Sequence, residues 1–137
     1  MTLRSIFGAF LFAMAVAACS SPFGKTEAIA AEPAQAYFID ILYLKNGKTP
    51  ADAKLYFDRT VPVVAKHGLA RQTPGFVITS KMAGAIEPNL VNVWTVADPQ
   101  NTFKDIFADP DYIKHMPLRD ATFDMQRSHM FMMKAAK

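Results

Sequence analysis

The sequence predicts an α+β domain of ferredoxin-like topology, a four-stranded antiparallel sheet with two helices on one face in the order β-α-β-β-α-β. Three observations lead there. Two β-branched and aromatic runs, Ala36 to Leu44 and Leu90 to Val96, are each followed by a proline-marked helix start, Thr49-Pro50 and Asp98-Pro99. Further apolar runs, Gly75 to Lys81 and Met125 to Lys134, supply the remaining two strands. The chain's 137 residues, 51% hydrophobic and 20% charged, suffice for one compact domain and an appendage.

The first strand, Ala-Tyr-Phe-Ile-Asp-Ile-Leu-Tyr-Leu, is apolar on both faces apart from Asp40 and ends at the turn signal Lys45-Asn46-Gly47-Lys48. Thr49 then serves as N-cap, Pro50 as first helical residue, and Asp52 takes the capping-box position near the positive end of the helix dipole. Ala53, Tyr56, Phe57, Val61, Val64 and Ala65 recur at three- and four-residue spacing as one apolar stripe. Pro62 is expected to kink this helix, and Gly68 after His67 to end it in the left-handed conformation. The second strand centres on Phe76-Val77-Ile78 and reaches Leu90 to Val96 through a connection containing Gly84. Asp98-Pro99 opens the next helix, with Phe103, Ile106 and Phe107 as its stripe; Asp109-Pro110 stops it and starts a short turn through Tyr112, Ile113 and Met116. Met125 to Lys134 closes the sheet.

Two helices on one face leave the other sheet face without a cover. Because the first strand is apolar on both sides, and about 100 residues are too few to cover the sheet internally, a homodimer is expected. The balance of 15 Lys+Arg against 12 Asp+Glu, spread without runs, gives no nucleic-acid footprint. One cysteine excludes internal disulfides and cysteine-rich metal centres. Glycine-rich phosphate loops, nucleophile elbows and zinc spacings are likewise missing from the sequence.

Residues 1–18 carry one positive charge, Arg4, and then run for thirteen residues, Ile6 to Ala18, without a charged or polar side chain. A helix of that length rises about 20 Å, short of the roughly 30 Å hydrocarbon core, so it reads as an export signal and not as a permanent span. Val16-Ala17-Ala18-Cys19 resembles the lipobox of bacterial lipoproteins, which implies removal of residues 1–18, acylation of Cys19, and membrane attachment through the lipid alone. Ser20 in place of Asp implies, by the same resemblance, the outer membrane. The alternative is a soluble periplasmic protein cleaved at Ala28-Ile29-Ala30 or Ala34-Gln35-Ala36. Residues 19–35, rich in Ser, Pro, Ala and Glu, form a tether, and the domain runs from 36 to 137.

The element order, with Phe107-Ala108-Asp109-Pro110-Asp111-Tyr112 and Arg119 seven residues after the tyrosine, resembles the DUF1330 family of the dimeric α/β-barrel superfamily. The Tyr37-to-Leu44 strand, the Tyr56 helix, His67-Gly68 and the Trp94 strand also fall in that family's order, so the resemblance spans most of residues 36–134. One glycine follows His67 where the family usually has two. The resemblance implies a dimer of undefined activity. Relatives in the superfamily include antibiotic-biosynthesis monooxygenases, haem-degrading enzymes and muconolactone-isomerase-like enzymes.

An unpaired buried carboxylate is costly, so Asp40 is expected to face a pocket or partner, away from the helices. If Val91, Val93, Met130 and Met132 face the helices, Asp40, Asn92, Trp94, Arg127 and His129 converge in the barrel interior. Apolar walls with a few polar groups suit a small organic ligand. Asp40 and His129 are the catalytic candidates, as a proton-transfer pair; Asn92, Trp94, Tyr112, Arg119 and Arg127 are the ligand-binding candidates. Equally open is an Asp40–Arg127 ion pair in the dimer interface. Arg119 would anchor an anion or pair with Asp109, Asp111 or Asp120. His115 reads as solvated, and His67 as an end residue suited to the helix dipole. His129-Met130-Phe131-Met132-Met133 offers imidazole and thioether ligands, but strand alternation splits them between two faces, so no metal site is expected. Haem would need a single histidine, with covalent attachment excluded by the cysteine count. A cofactor-independent oxygenation or proton-transfer enzyme, a non-catalytic envelope interaction module and a haem protein are thus the readings the residues leave open.

Overall fold

A computed structural model describes residues 35–72 and 75–136. The expectations for the signal peptide, Cys19 and most of the tether fall outside these residues. The ladder strands are β1 (Ala36–Leu42), β2 (Leu69–Arg71), β3 (Phe76–Val77), β4 (Leu90–Val96) and β5 (His129–Lys134); the helices are α1 (Pro50–Ala65), α2 (Thr102–Ala108), α3 (Pro110–Ile113) and α4 (Met116–Thr122). All pairings are antiparallel, in the order β2-β4-β1-β5, with β3 also on β4. This is the expected ferredoxin-like arrangement, the second strand position being shared by β2 and β3.

α1 starts as the sequence suggests. The Thr49 N–H and hydroxyl donate to Asp52 Oδ2 at 2.9 and 2.8 Å, Pro50 occupies the first turn, and the helix continues through Pro62. Gly68 follows with φ 79°, and its carbonyl accepts from Ala97 N–H at 2.9 Å. A Cβ there would lie 2.7 Å from Ala97 Cβ, so the position needs glycine both for its dihedral and for its space.

Four local expectations are corrected. The second strand begins at Leu69, and its ladder within Gly75 to Lys81 shrinks to Phe76–Val77. Only three residues long before Thr73-Pro74, β2 gives no alternation to read. Asp98 does not cap α2: its side chain accepts from the N–H groups of Gln100 and Asn101 at 2.9 and 3.2 Å, forming a turn that delays the helix to Thr102. Met116 and Pro117 open the fourth helix, α4, where only an irregular segment was expected. β5 starts at His129, because Arg127 and Ser128 N–H groups both turn back to the Asp124 carbonyl.

The core lies between sheet and helices. Phe123, 1% exposed, meets Tyr56 edge-on at 5.4 Å and Phe57 at 5.8 Å, joining the end of α4 to the middle of α1. Lys45 N–H donates to the Thr122 carbonyl and Asp124 N–H to the Tyr43 carbonyl, which fastens α4 to the end of β1. At the other end, His67 Nε2 lies 2.8 Å from Asp109 Oδ2, and Thr102 donates to the His67 carbonyl at 2.9 Å. His67 therefore clamps α2 and α3 to the end of α1, beyond the simple dipole role expected of it.

Candidate ligand cavity

The helix-facing side of the sheet decides which polar groups meet. Along β1 and β4 the buried residues are Ala36, Asp40, Leu42, Leu90, Asn92, Trp94 and Val96. The register pairs Asp40 with Asn92 and Met130, and Phe38 with Trp94 and Met132, so these six share that side. Val91 and Val93, opposite Ile41 and Ile39, lie on the other side with His129 and Phe131. The expected assignment is thus inverted for β1 and β4, where Asp40, Asn92 and Trp94 face the helices and Val91 and Val93 do not; β5 has the expected phase, with Met130 and Met132 toward the helices and His129 on the open face, and so apart from Asp40.

A cavity of about 140 Å³ sits between this side of the sheet and α1 to α4. Phe38, Phe57, Trp94, Phe103, Ile106 and Phe123 contribute apolar wall, and its polar lining includes Asp40, Tyr56, Thr60, Tyr112 and Arg119. Asp40 is 5% exposed. Asn92 Nδ2–H donates to Asp40 Oδ1, and the Trp94 indole N–H to Asp40 Oδ2 at 2.9 Å. Asn92 in turn accepts from Arg71 Nε at 3.0 Å and is fully buried, while the Arg71 guanidinium lies 4.1 Å above the Phe57 ring. Burial raises the Asp40 carboxyl to about 6; the bonds from Asn92 and Trp94 and the Arg71 charge pull the other way without cancelling it.

The helix side supplies a second polar group. The Tyr56 and Tyr112 hydroxyl oxygens are 3.3 Å apart, and burial pushes the Tyr56 hydroxyl far above the ordinary phenol range. Arg119 lines the cavity beside them. Its guanidinium is held by Asp120 at 2.8 Å, one of the three carboxylates expected for it. Burial alone would lower the Arg119 pKa, but Asp120 and Tyr112 outweigh it and hold it above the usual value.

Five of the seven expected catalytic and ligand-binding residues therefore meet at the cavity: Asp40, Trp94, Tyr112 and Arg119 in its lining, and Asn92 directly behind Asp40. His129 and Arg127 do not. His129 is exposed and stacks on Phe131, with ring centroids 6.3 Å apart; Arg127 is exposed over the Tyr43 ring at 4.3 Å. Neither forms the proposed pair with Asp40, because β5 carries His129 out of phase with Asp40 and Arg127 precedes the strand in a turn. Arg71, Thr60 and the polar role of Tyr56 carry only faint signals in the sequence: an arginine two residues after the core residue Leu69, and two hydroxyl-bearing residues one turn apart on α1.

Haem does not suit this cavity. None of the three histidines lines it: His67 is bonded to Asp109, His115 precedes α4, and His129 lies across the sheet. Among the described residues no group of three or more His, Cys, Asp or Glu is placed to hold a metal ion.

No family model matches the chain, and no curated protein matches it. Solved structures do. A protein of unknown function from Rhodopseudomonas palustris is 15% identical, with a TM-score of 0.61, covering 77% of this chain and 85% of its own. A NIPSNAP family protein of unknown function from Agrobacterium tumefaciens is 23% identical, with a TM-score of 0.56 and coverage of 76% and 90%. SnoaB, a cofactor-independent oxygenase from Streptomyces nogalater, is 21% identical, with a TM-score of 0.50 and coverage of 76% and 95%. The chain shares the α+β fold of these proteins.

Proposed function

We propose that the protein binds a small, partly apolar organic molecule in the cavity between sheet and helices, and that Asp40 exchanges a proton with it. The observation that carries this reading is a buried carboxyl raised to about 6 in the wall of an otherwise mainly apolar cavity. At neutral pH Asp40 is mostly ionised and accepts hydrogen bonds. Taking a proton from an acidic O–H or C–H of the ligand leaves the electron pair on the ligand, and the Tyr56–Tyr112–Arg119 group faces the charge so formed. Reprotonation at another atom completes an isomerisation; addition of dioxygen to a carbon of the anion, with the proton returned from Asp40 to the outer oxygen, gives a hydroperoxide. The fold of the cofactor-independent oxygenase SnoaB favours keeping the second outcome.

Around this cavity we place the rest of the account. Export and attachment through Cys19 on the periplasmic side of the outer membrane rest on the signal-like start, and Cys19→Ser with fractionation tests them. A second copy covers the open sheet face, where Ile39, Ile41, Val91 and Val93 remain half-buried and Phe131 is 51% exposed. The same exposed face favours the competing reading, an envelope module that docks another protein there. Kinship with DUF1330 rests on Asp109-Pro110-Asp111-Tyr112 and Arg119, of which Tyr112 and Arg119 line the cavity.

Organic extraction of the purified protein, followed by mass analysis, tests the ligand reading. Wild type is expected to carry a small organic that the cavity-filling variant Val64→Phe lacks, Val64 being a wall residue 4% exposed. The same compounds in both folded proteins would count against it.

A further inference from the structure

The cavity's hydrogen-bond inventory narrows the ligand, given the reading above that a ligand sits there. Each Asp40 oxygen accepts one protein donor, Asn92 on Oδ1 and Trp94 on Oδ2, and a carboxylate oxygen has room for two. Both of these donors are committed, so the remaining acceptor capacity toward the cavity calls for a donor on the ligand.

Across the cavity the count has the opposite sign. Tyr56 and Tyr112 own two hydroxyl hydrogens, and the contact between them consumes one. Arg119 lines the cavity beside the pair and adds a positive charge there. Whichever tyrosine donates to the other, one O–H is left over and needs an acceptor. A fitting ligand therefore carries a donor toward the sheet and an acceptor toward α1 and α3.

Size and wall chemistry set the frame between these groups. About 140 Å³ is close to the roughly 150 Å³ apolar cavity that takes up benzene in an engineered protein, so one six-membered ring fits. Eight of the lining residues are aromatic, which suits ring-edge and ring-face contacts. A carboxylate is disfavoured: it would meet the Asp40 charge, and the Arg119 charge is already matched by Asp120.

We propose that the cavity takes a single-ring phenol bearing a second ring oxygen, with one hydroxyl donating to Asp40 and the other oxygen accepting from the Tyr56–Tyr112 pair. The test is a calorimetric affinity series on the wild-type protein at pH 7.5 with resorcinol, anaerobic hydroquinone, phenol, toluene and benzoate. The better dihydroxybenzene is expected to bind about tenfold tighter than phenol, phenol tighter than toluene, and benzoate weakest. The double change Tyr56→Phe with Tyr112→Phe, which removes both hydroxyls, should bring the dihydroxybenzene down to the affinity of phenol. Affinities that follow apolarity, with toluene tightest, would overturn the phenol assignment while leaving the cavity a ligand site. Failure of every probe to bind at millimolar concentration would overturn the assignment together with the cavity reading beneath it.

Discussion

The Trp94 indole N–H donates to Asp40 Oδ2 at 2.9 Å, tying the protein's single tryptophan to its most perturbed described carboxyl. The two side chains rise from neighbouring strands, β1 and β4, and both line the cavity. The indole therefore reports on the charge of the group proposed to move protons.

Trp94 fluorescence is expected to titrate with a midpoint near pH 6, following Asp40, and to be flat there in Asp40→Asn. Stability follows the same group. The folded pKa, about 6, lies above the ordinary 3.8, so between these values the folded state binds more protons than the unfolded one. Stability from Asp40 is therefore greatest below pH 3.8, falls as pH rises through the window, and is lost above 6. The difference between wild type and Asp40→Asn in urea unfolding should decline by about 3 kcal/mol from pH 3.8 to 8. A difference independent of pH would show an ordinary carboxyl.

Gly75 makes room for this network. A Cβ there would run into the Arg71 guanidinium and the Asn92 carbonyl oxygen. Gly75→Ala is expected to cost about 1–3 kcal/mol and to move the Trp94 titration upward as the Arg71 charge is displaced. Arg71→Ala should move the midpoint in the same direction. An unchanged midpoint in both variants would remove Arg71 from the network.

How much of this was legible depends on the strand. In β1 and β4, alternation alone grouped Phe38, Asp40 and Leu42, and Asn92 with Trp94. It could not tell which group faces the helices, because β1 is apolar on both sides; the burial of Asp40, Asn92 and Trp94 beneath the helices settles that, and the register that adds Met130 to their side is not visible in either segment alone. The site's helix half was legible in Tyr112 and Arg119, whereas Arg71 was hidden by a strand of three residues. That a buried charge needs a partner points Asp40 away from the apolar helix stripes. Its partners, Asn92 and Trp94, are on the same side of the neighbouring strand.

Thr122 is fully buried, and its hydroxyl is without a hydrogen-bond partner among the described residues. Thr122→Val keeps the shape and removes the orphaned group, so stability is expected to hold or to rise by up to about 1 kcal/mol in urea unfolding. A loss above 1 kcal/mol would mean the hydroxyl is satisfied.

The open sheet face gives a separate prediction. In the Cys19→Ser protein, light scattering should report a dimer, and the double change Ile39→Lys with Phe131→Lys, on paired positions of β1 and β5, should give a folded monomer. A dimer that survives both charges would place the interface elsewhere.

The central claim is that ligand enters between sheet and helices, not onto the open face, and the ¹⁵N–¹H resonance of the Trp94 indole tests it most directly. With phenol or toluene added to saturation, the indole resonance should shift in wild type and stay still in Val64→Phe. An unmoved indole, with shifts confined to Ile39, Val93 and Phe131, would contradict the account.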